Sequence, residues 1–182
     1  MEIIKTPIKD LVVIKPRVFA DARGFFFETY NEERYREAGI TQKFVQDNMS
    51  KSSYGVVRGL HFQRPPYSQA KLVQVIEGAV LDVAVDLRSD SETYGQWYAV
   101  ELTAENHLQF LIPRGFAHGF AVLSETAIFS YKCDNFYHPE VDGGVMYNDP
   151  TLNIDWGIPA DKIVLSEKDT KHPLLKDLGK IF

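Results

Sequence analysis

Apolar positions in this chain fall in short runs that alternate with polar ones and are cut by Gly, Pro, Asn and Asp. That is the pattern of strands and turns. From Val56 onward it predicts one strand after another, over residues 56–62, 71–77, 79–87, 97–102, 108–112, 119–123 and 127–133. Upstream, residues 11–19 read as extended, Asp21-Ala22-Arg23-Gly24 as a tight turn, and residues 25–30 as a strand by their aromatic content. One short helix is expected after Asn31, a good N-cap, with Glu32 and Glu33 in its first turn and Gly39 at its stop. Beyond Pro150 the periodicity fades into loops and one or two short terminal helices. The expected fold is all-β, a sandwich or barrel with a few short peripheral helices.

Composition narrows this picture. A chain of 182 residues, 45% hydrophobic and 25% charged, suits one domain over residues 1–182. The net charge of −5 offers no field for nucleic acid or an anionic membrane, although a few local Arg and Lys could still hold an anionic small molecule. Cys133 is the only cysteine, so no intrachain disulfide can form, which suits a reducing compartment. With no signal pattern after Met1 and no apolar run of spanning length, a cytoplasmic location is expected.

Three stretches could carry chemistry. In Val57-Arg58-Gly59-Leu60-His61-Phe62-Gln63, strand alternation puts Gly59, His61 and Gln63 on one face, where the glycine could leave room for a ligand. A packed histidine with a satisfied hydrogen bond explains the residue equally well. In Ala127-Ile128-Phe129-Ser130-Tyr131-Lys132-Cys133, Phe129, Tyr131 and Cys133 share a face, Lys132 takes the other, and Tyr131 reads first as a core aromatic. Lys71 is the sharpest pointer, because it shares a strand face with Val73 and Val75, where an ammonium is costly unless it meets an anion. Ser166-Glu167-Lys168-Asp169 taken alone reads as a helix capping box.

The stretch Pro113-Arg114-Gly115-Phe116-Ala117-His118-Gly119-Phe120 resembles the Pro-x-Gly-x-x-His core of the second cupin motif, which implies a cupin-type jelly roll. Metal-binding cupins carry His-x-His in the first motif; here the order is His61-Phe62-Gln63, and an amide is a poor substitute for imidazole on a transition metal. Together with Asp21-Ala22-Arg23-Gly24-Phe25-Phe26-Phe27-Glu28, Phe44-Val45-Gln46-Asp47-Asn48-Met49-Ser50, Tyr131-Lys132-Cys133 and Leu165-Ser166-Glu167-Lys168-Asp169, these stretches in this order resemble the dTDP-4-dehydrorhamnose 3,5-epimerase family from about residue 14 to 169. The resemblance implies His61 as general base polarised by Asp169, in place of the capping role. It implies Tyr131 as general acid on the opposite sugar face and Lys71 beside the 4-keto oxygen. Arg23, Glu28, Gln46, Asn48, Arg58, His118 and Lys168 would hold the nucleotide and diphosphate. Asp142 stands where family members commonly have Glu. A dTDP-sugar substrate, a homodimer, no metal, no cofactor, and a place in dTDP-L-rhamnose synthesis for surface polysaccharide follow from the same resemblance.

The residue types suit that chemistry. A C4 ketone acidifies the C3 and C5 hydrogens, and each centre inverts through an enolate if a base faces one side and a proton donor the other. Imidazole is a competent base near neutrality, a carboxylate fixes its tautomer, and a lysine stabilises the enolate oxygen. Three alternatives stand beside this reading: epimerisation at C3 or C5 alone or ketoisomerisation, a metal-dependent cupin, and a non-catalytic sugar-binding module. The last has no use for an acid–base set.

Overall fold

In the computed structural model, which describes residues 1–182, two antiparallel sheets face each other in a cupin-type jelly roll. One sheet has the order β1 (Glu2–Lys5), β2 (Val12–Lys15), β10 (Gln109–Ile112), β7 (Lys71–Glu77), β12 (Thr126–Cys133) and β5 (Gln46–Ser53). The other has the order β13 (Asp142–Gly144), β6 (Val57–Gln63), β11 (Phe116–Val122), β8 (Ala79–Asp86) and β9 (Trp97–Thr103). Their inner faces meet in a core that includes Val73, Val75, Ala84, Phe110, Phe116, Phe120 and Phe129. Burying a Phe side chain there contributes about 1.5–3 kcal/mol.

Both outer faces are also covered. Along β8, Val80 and Ala84 point into the barrel while Val83 and Val85 point out, so both faces of the strand are packed against apolar side chains. Residues 145–182 wrap over the outward face, bringing Leu152, Trp156, Ile158 and Leu175 against it. Asp149 anchors the wrap by accepting hydrogen bonds from the backbone N–H groups of Thr151, Leu152 and Leu175. The segment forms no α-helix; it makes three one-turn 3-10 helices, at Ala160–Lys162, Asp169–Lys171 and Leu175–Asp177. The helix α1 (Glu32–Glu37) is capped by Asn31 as its sequence predicts, and Tyr35 packs it against the outside of the first sheet.

One expectation changes, and one strand was not foreseen. The strand expected over residues 25–30 shrinks to β4 (Gly24–Phe26), which pairs only with β3 (Phe19–Asp21) in a hairpin belonging to neither sheet. An aromatic run favours a strand, but a strand also needs a partner, and none within this chain meets Phe27 to Tyr30. Phe25 and Phe26 are exposed on that hairpin. Conversely, β5 lacks a recognisable pattern, because Gln46-Asp47-Asn48-Met49-Ser50-Lys51-Ser52-Ser53 is polar at nearly every position. It is held as an edge strand by its full ladder with β12.

Candidate active site

His61 reaches the barrel interior through an irregularity in β6. In the β6–β11 ladder His118 pairs with His61, but two residues on Phe120 pairs with Arg58, three residues back. The extra residue on β6 turns Arg58 and His61 toward the same face, which plain alternation would have separated. Gly59 makes this possible: its φ is +141°, and a Cβ there would lie 2.6 Å from Gly119 Cα. The missing side chain thus admits the backbone of β11, not a ligand, and Gly59 does not share the face of His61 in the simple way alternation suggests.

Asp169 arrives on the C-terminal wrap. Its carboxylate Oδ1 lies 2.5 Å from His61 Nε2, which leaves Nδ1 of that ring without an internal partner. Burial opposes ionisation of Asp169, yet the imidazoles of His172 and His61 outweigh it and hold the carboxyl well below the usual carboxylate range. The backbone N–H of Asp169 does bond Ser166 Oγ at 3.2 Å, so half of the expected capping box exists. The side chain, however, is turned to the histidines.

The facing wall is built by the first sheet. Lys71 on β7 is opposite Cys133 on β12 and lies 5.9 Å from the ring of Tyr131. Its ammonium has no ion pair; burial pulls its pKa down, while Cys133, Asp142 and Asp82 favour the charge. Burial raises the Tyr131 phenol above its ordinary value, and Arg58 opposes that shift. Burial likewise pushes the Cys133 thiol up to about 11, so it is no nucleophile here.

Between the walls lies a cavity of about 340 Å³ lined by His61, Lys71, Tyr131, Gln46, Asn48, Asp142 and Lys168, all singled out from the sequence, together with Phe62, Gln63, Gln69, Cys133 and Tyr137. At its rim Lys168 pairs with Asp142, which also accepts a hydrogen bond from Tyr137 at 3.1 Å. Asp142, despite its shorter side chain, thus reaches two neighbours at the cavity rim.

Besides Asp169, which contacts His61 without lining this cavity, four sequence-predicted residues lie outside it. Arg58 lies beside it and donates to Ser52 Oγ at 3.1 Å. His118 is 6% exposed, with Nε2 3.0 Å from both carboxylate oxygens of Asp82. Arg23 sits at the tip of the β3–β4 hairpin, paired with Asp21, and Glu28 pairs with Arg34. Within one chain neither meets His61. The sequence reading missed Asp82 and His172. The signal for Asp82 was available: an acid inside the apolar run Ala79-Val80-Leu81-Asp82-Val83 needs a partner. His172 had none, since it lies in a stretch without periodicity.

The residues do not fit the cupin metal. The Gln63 amide donates to Tyr67 O and Phe136 O, its carbonyl accepts from His138 N–H, and His118 is taken by Asp82. His61, Asp169 and His172 do bring three ligand atoms within 4.8 Å. Tetrahedral zinc with bonds of about 2.0–2.1 Å holds its ligand atoms about 3.3 Å apart. The 2.5 Å between His61 and Asp169 is a hydrogen-bond separation instead.

On a cupin-type jelly roll, an imidazole–carboxylate pair on one wall and a phenol with a lysine on the other form a set suited to proton transfer. The pattern of the dTDP-4-dehydrorhamnose 3,5-epimerase family matches residues 5–177, and the chain belongs to that family. The dTDP-4-dehydrorhamnose 3,5-epimerase of Escherichia coli K12 is 49% identical over 182 residues, covering 100% of this chain and 98% of the relative. The crystal structure of the enzyme of that name from Elizabethkingia anophelis superposes with a TM-score of 0.94 at 59% identity, covering 100% of this chain and 99% of the other. The dTDP-6-deoxy-D-glucose-3,5-epimerase of Legionella pneumophila, solved in complex with dTDP-4-keto-L-rhamnose, gives 0.93 at 50% identity, with 97% and 94% covered.

Proposed function

We propose that this chain inverts C3 and C5 of dTDP-4-dehydro-6-deoxy-D-glucose in dTDP-L-rhamnose synthesis, without metal or cofactor. The observation that carries the reading is that His61 and Tyr131 face one cavity from opposite sheets. His61, held by Asp169, removes the proton beside the ketone. Lys71 meets the enolate oxygen as charge develops, where a fixed cation in a partly buried site is most effective. Tyr131 returns a proton from the other face, and its raised pKa keeps the phenol protonated until the enolate carbon takes the proton. Gln46, Asn48, Asp142 and Lys168 hold the nucleotide side.

The chain acts as one cytoplasmic domain in a homodimer. The hairpin β3–β4 supports a dimer: it pairs with neither sheet, exposes Phe19, Phe25 and Phe26, and keeps Arg23 out of its own cavity. Arg23 and Glu28 then serve the neighbour's nucleotide. No helix is long and apolar enough to cross a membrane.

The test is proton NMR of the dTDP-4-keto sugar with purified protein in heavy water. Deuterium at both C3 and C5, lost in His61→Ala, is expected. Exchange at one carbon indicates a single-centre epimerase, and binding without exchange overturns the catalytic reading.

A further inference from the structure

His172 lies outside the set that the family resemblance supplies, yet it is built into the base. Its side chain is 8% exposed, its Nε2 lies 3.4 Å from the same Asp169 oxygen that His61 contacts, and its ring stands edge-on to His61 with centroids 5.5 Å apart. No group other than Asp169 offers that nitrogen an acceptor. At 3.4 Å Nε2 makes no full hydrogen bond to the carboxylate, so the contact acts chiefly as an N–H dipole beside a buried charge. The charge fixes the tautomer: a lone pair on Nε2 would face the carboxylate, so Nε2 carries the hydrogen. The slot for this ring is prepared elsewhere in the chain. A Cβ on Gly144 would fall 2.5 Å from His172 Nε2, and Gly144 is the residue of β13 that pairs with His61. The backbone N–H of Met146 donates to Pro173 O at 2.9 Å, which ties the histidine's segment to the end of β13.

We propose that His172 is a positioning residue for the base, its Nε2–H holding the Asp169 carboxylate ionised and aimed at His61. The proposal rests on His61 being the general base. A buried carboxylate with a single imidazole partner can rotate or protonate; a second donor on the same oxygen restrains both. Consistent with this, His172 is the foremost influence favouring the ionised form of Asp169 against burial. His172 itself touches no substrate, since it does not line the cavity.

The test compares His172→Phe, which keeps the ring volume without a donor, with His172→Gln, whose amide nitrogen can take the place of Nε2. In full-length protein with intact thermal unfolding, His172→Phe is expected to lower kcat about tenfold, part of the roughly 10²–10⁴ that a positioned base supplies. KM stays unchanged, and His172→Gln recovers most of the rate. In parallel, the downfield proton resonance of the His61–Asp169 hydrogen bond is expected to broaden or shift in His172→Phe and persist in His172→Gln. An unchanged kcat and resonance in His172→Phe overturn the proposal, as does an equal loss in both variants, which would assign His172 to packing alone. If His172→Phe does not fold, His172→Leu makes the same comparison. If wild-type protein moves no deuterium into the 4-keto sugar, the functional reading fails, and the resonance still decides the role of His172.

Discussion

Two histidine–aspartate pairs stand side by side in this barrel, since His61 and His118 are directly opposite each other in the β6–β11 ladder. Their chemistry looks alike on paper, but their surroundings separate them. His118 and Asp82 are both drawn from central strands and both buried. Burial pushes the Asp82 carboxyl up and the His118 imidazole down, while each partner pulls the other back toward its charged form. His61 keeps 31% of its side chain exposed to the cavity, and its aspartate comes from the loop that wraps the barrel. Asp169 is held ionised by two imidazoles, whereas Asp82 has one histidine and the nearby Lys71. A usable base therefore needs an accessible imidazole nitrogen backed by a carboxylate that stays charged. The His118 pair is an internal hydrogen-bonded pair, with Lys71 as a nearby cation that favours the charged form of Asp82.

The sharpest way to break this comparison is to remove each imidazole in turn. His61→Ala is expected to cost roughly 10²–10⁴ in kcat with a smaller loss of folding stability than at His118, because His172 still faces Asp169, measured by epimerisation rate and thermal unfolding. His118→Phe is expected to do the reverse in stability, destabilising by about 3 kcal/mol because Asp82 is left buried without its partner. Adding Asp82→Leu should restore most of that loss, as replacing both members of a buried pair is often nearly neutral. Recovered stability with unrecovered kcat would show that Asp82 also acts through Lys71.

Tyr131→Phe separates the two walls. Without its hydroxyl, His61 can still remove a proton and return one to the same face. Deuterium exchange beside the ketone should therefore persist while inversion falls by roughly 10²-fold, comparable to other proton donors. Loss of exchange and inversion together would assign Tyr131 to abstraction instead.

How much of this was legible in the sequence depends on where each residue sits. Lys71 and Tyr131 lie on regular strands, and alternation alone turned both toward one face. His61 required knowledge of the extra residue at Gly59, which a periodic reading cannot supply. Asp169 was hidden for a different reason. Its nearest neighbours in sequence satisfy a capping motif, and only the wrap anchored by Asp149 carries it to a histidine 108 residues away. The polar strand β5 was invisible because its ladder, rather than any apolar face, holds it in the sheet. Arg23 and Glu28 rest on resemblance alone, since the single chain leaves them at a distance from the cavity.

Acid stability sharpens the contrast between the two carboxylates. The folded-state pKa of Asp169 is depressed, so its ionised form stabilises the fold above the unfolded carboxylate value of about 3.9, and that stability is lost as pH falls through and below this value. For Asp82 the folded value is raised, so protonating it on acidification does not weaken the fold in the same way. Asp169→Asn should thus flatten the fall of unfolding free energy below about pH 4, whereas Asp82→Asn should not. Denaturant titrations at several acidic pH values read this directly. Equal flattening in both variants would mean that the two carboxylates are equivalent and the comparison fails.

The smallest effect concerns the hairpin, the one part of the proposed site that the barrel does not hold. Arg23 is 90% exposed and bound only to Asp21 two residues away, so its removal should leave stability unchanged. If it reaches a neighbouring subunit's diphosphate, Arg23→Ala should raise KM about tenfold, the loss of one charge-assisted contact, with kcat nearly intact. Mixing Arg23→Ala protein with inactive His61→Ala protein then provides the decisive measurement. In a mixed dimer of that proposal, the intact His61 belongs to the Arg23→Ala subunit and the intact Arg23 reaches it from the His61→Ala subunit, so part of the population regains wild-type KM. If Arg23 works within its own chain, mixing restores nothing, and the hairpin must instead fold back over the cavity it leaves open here.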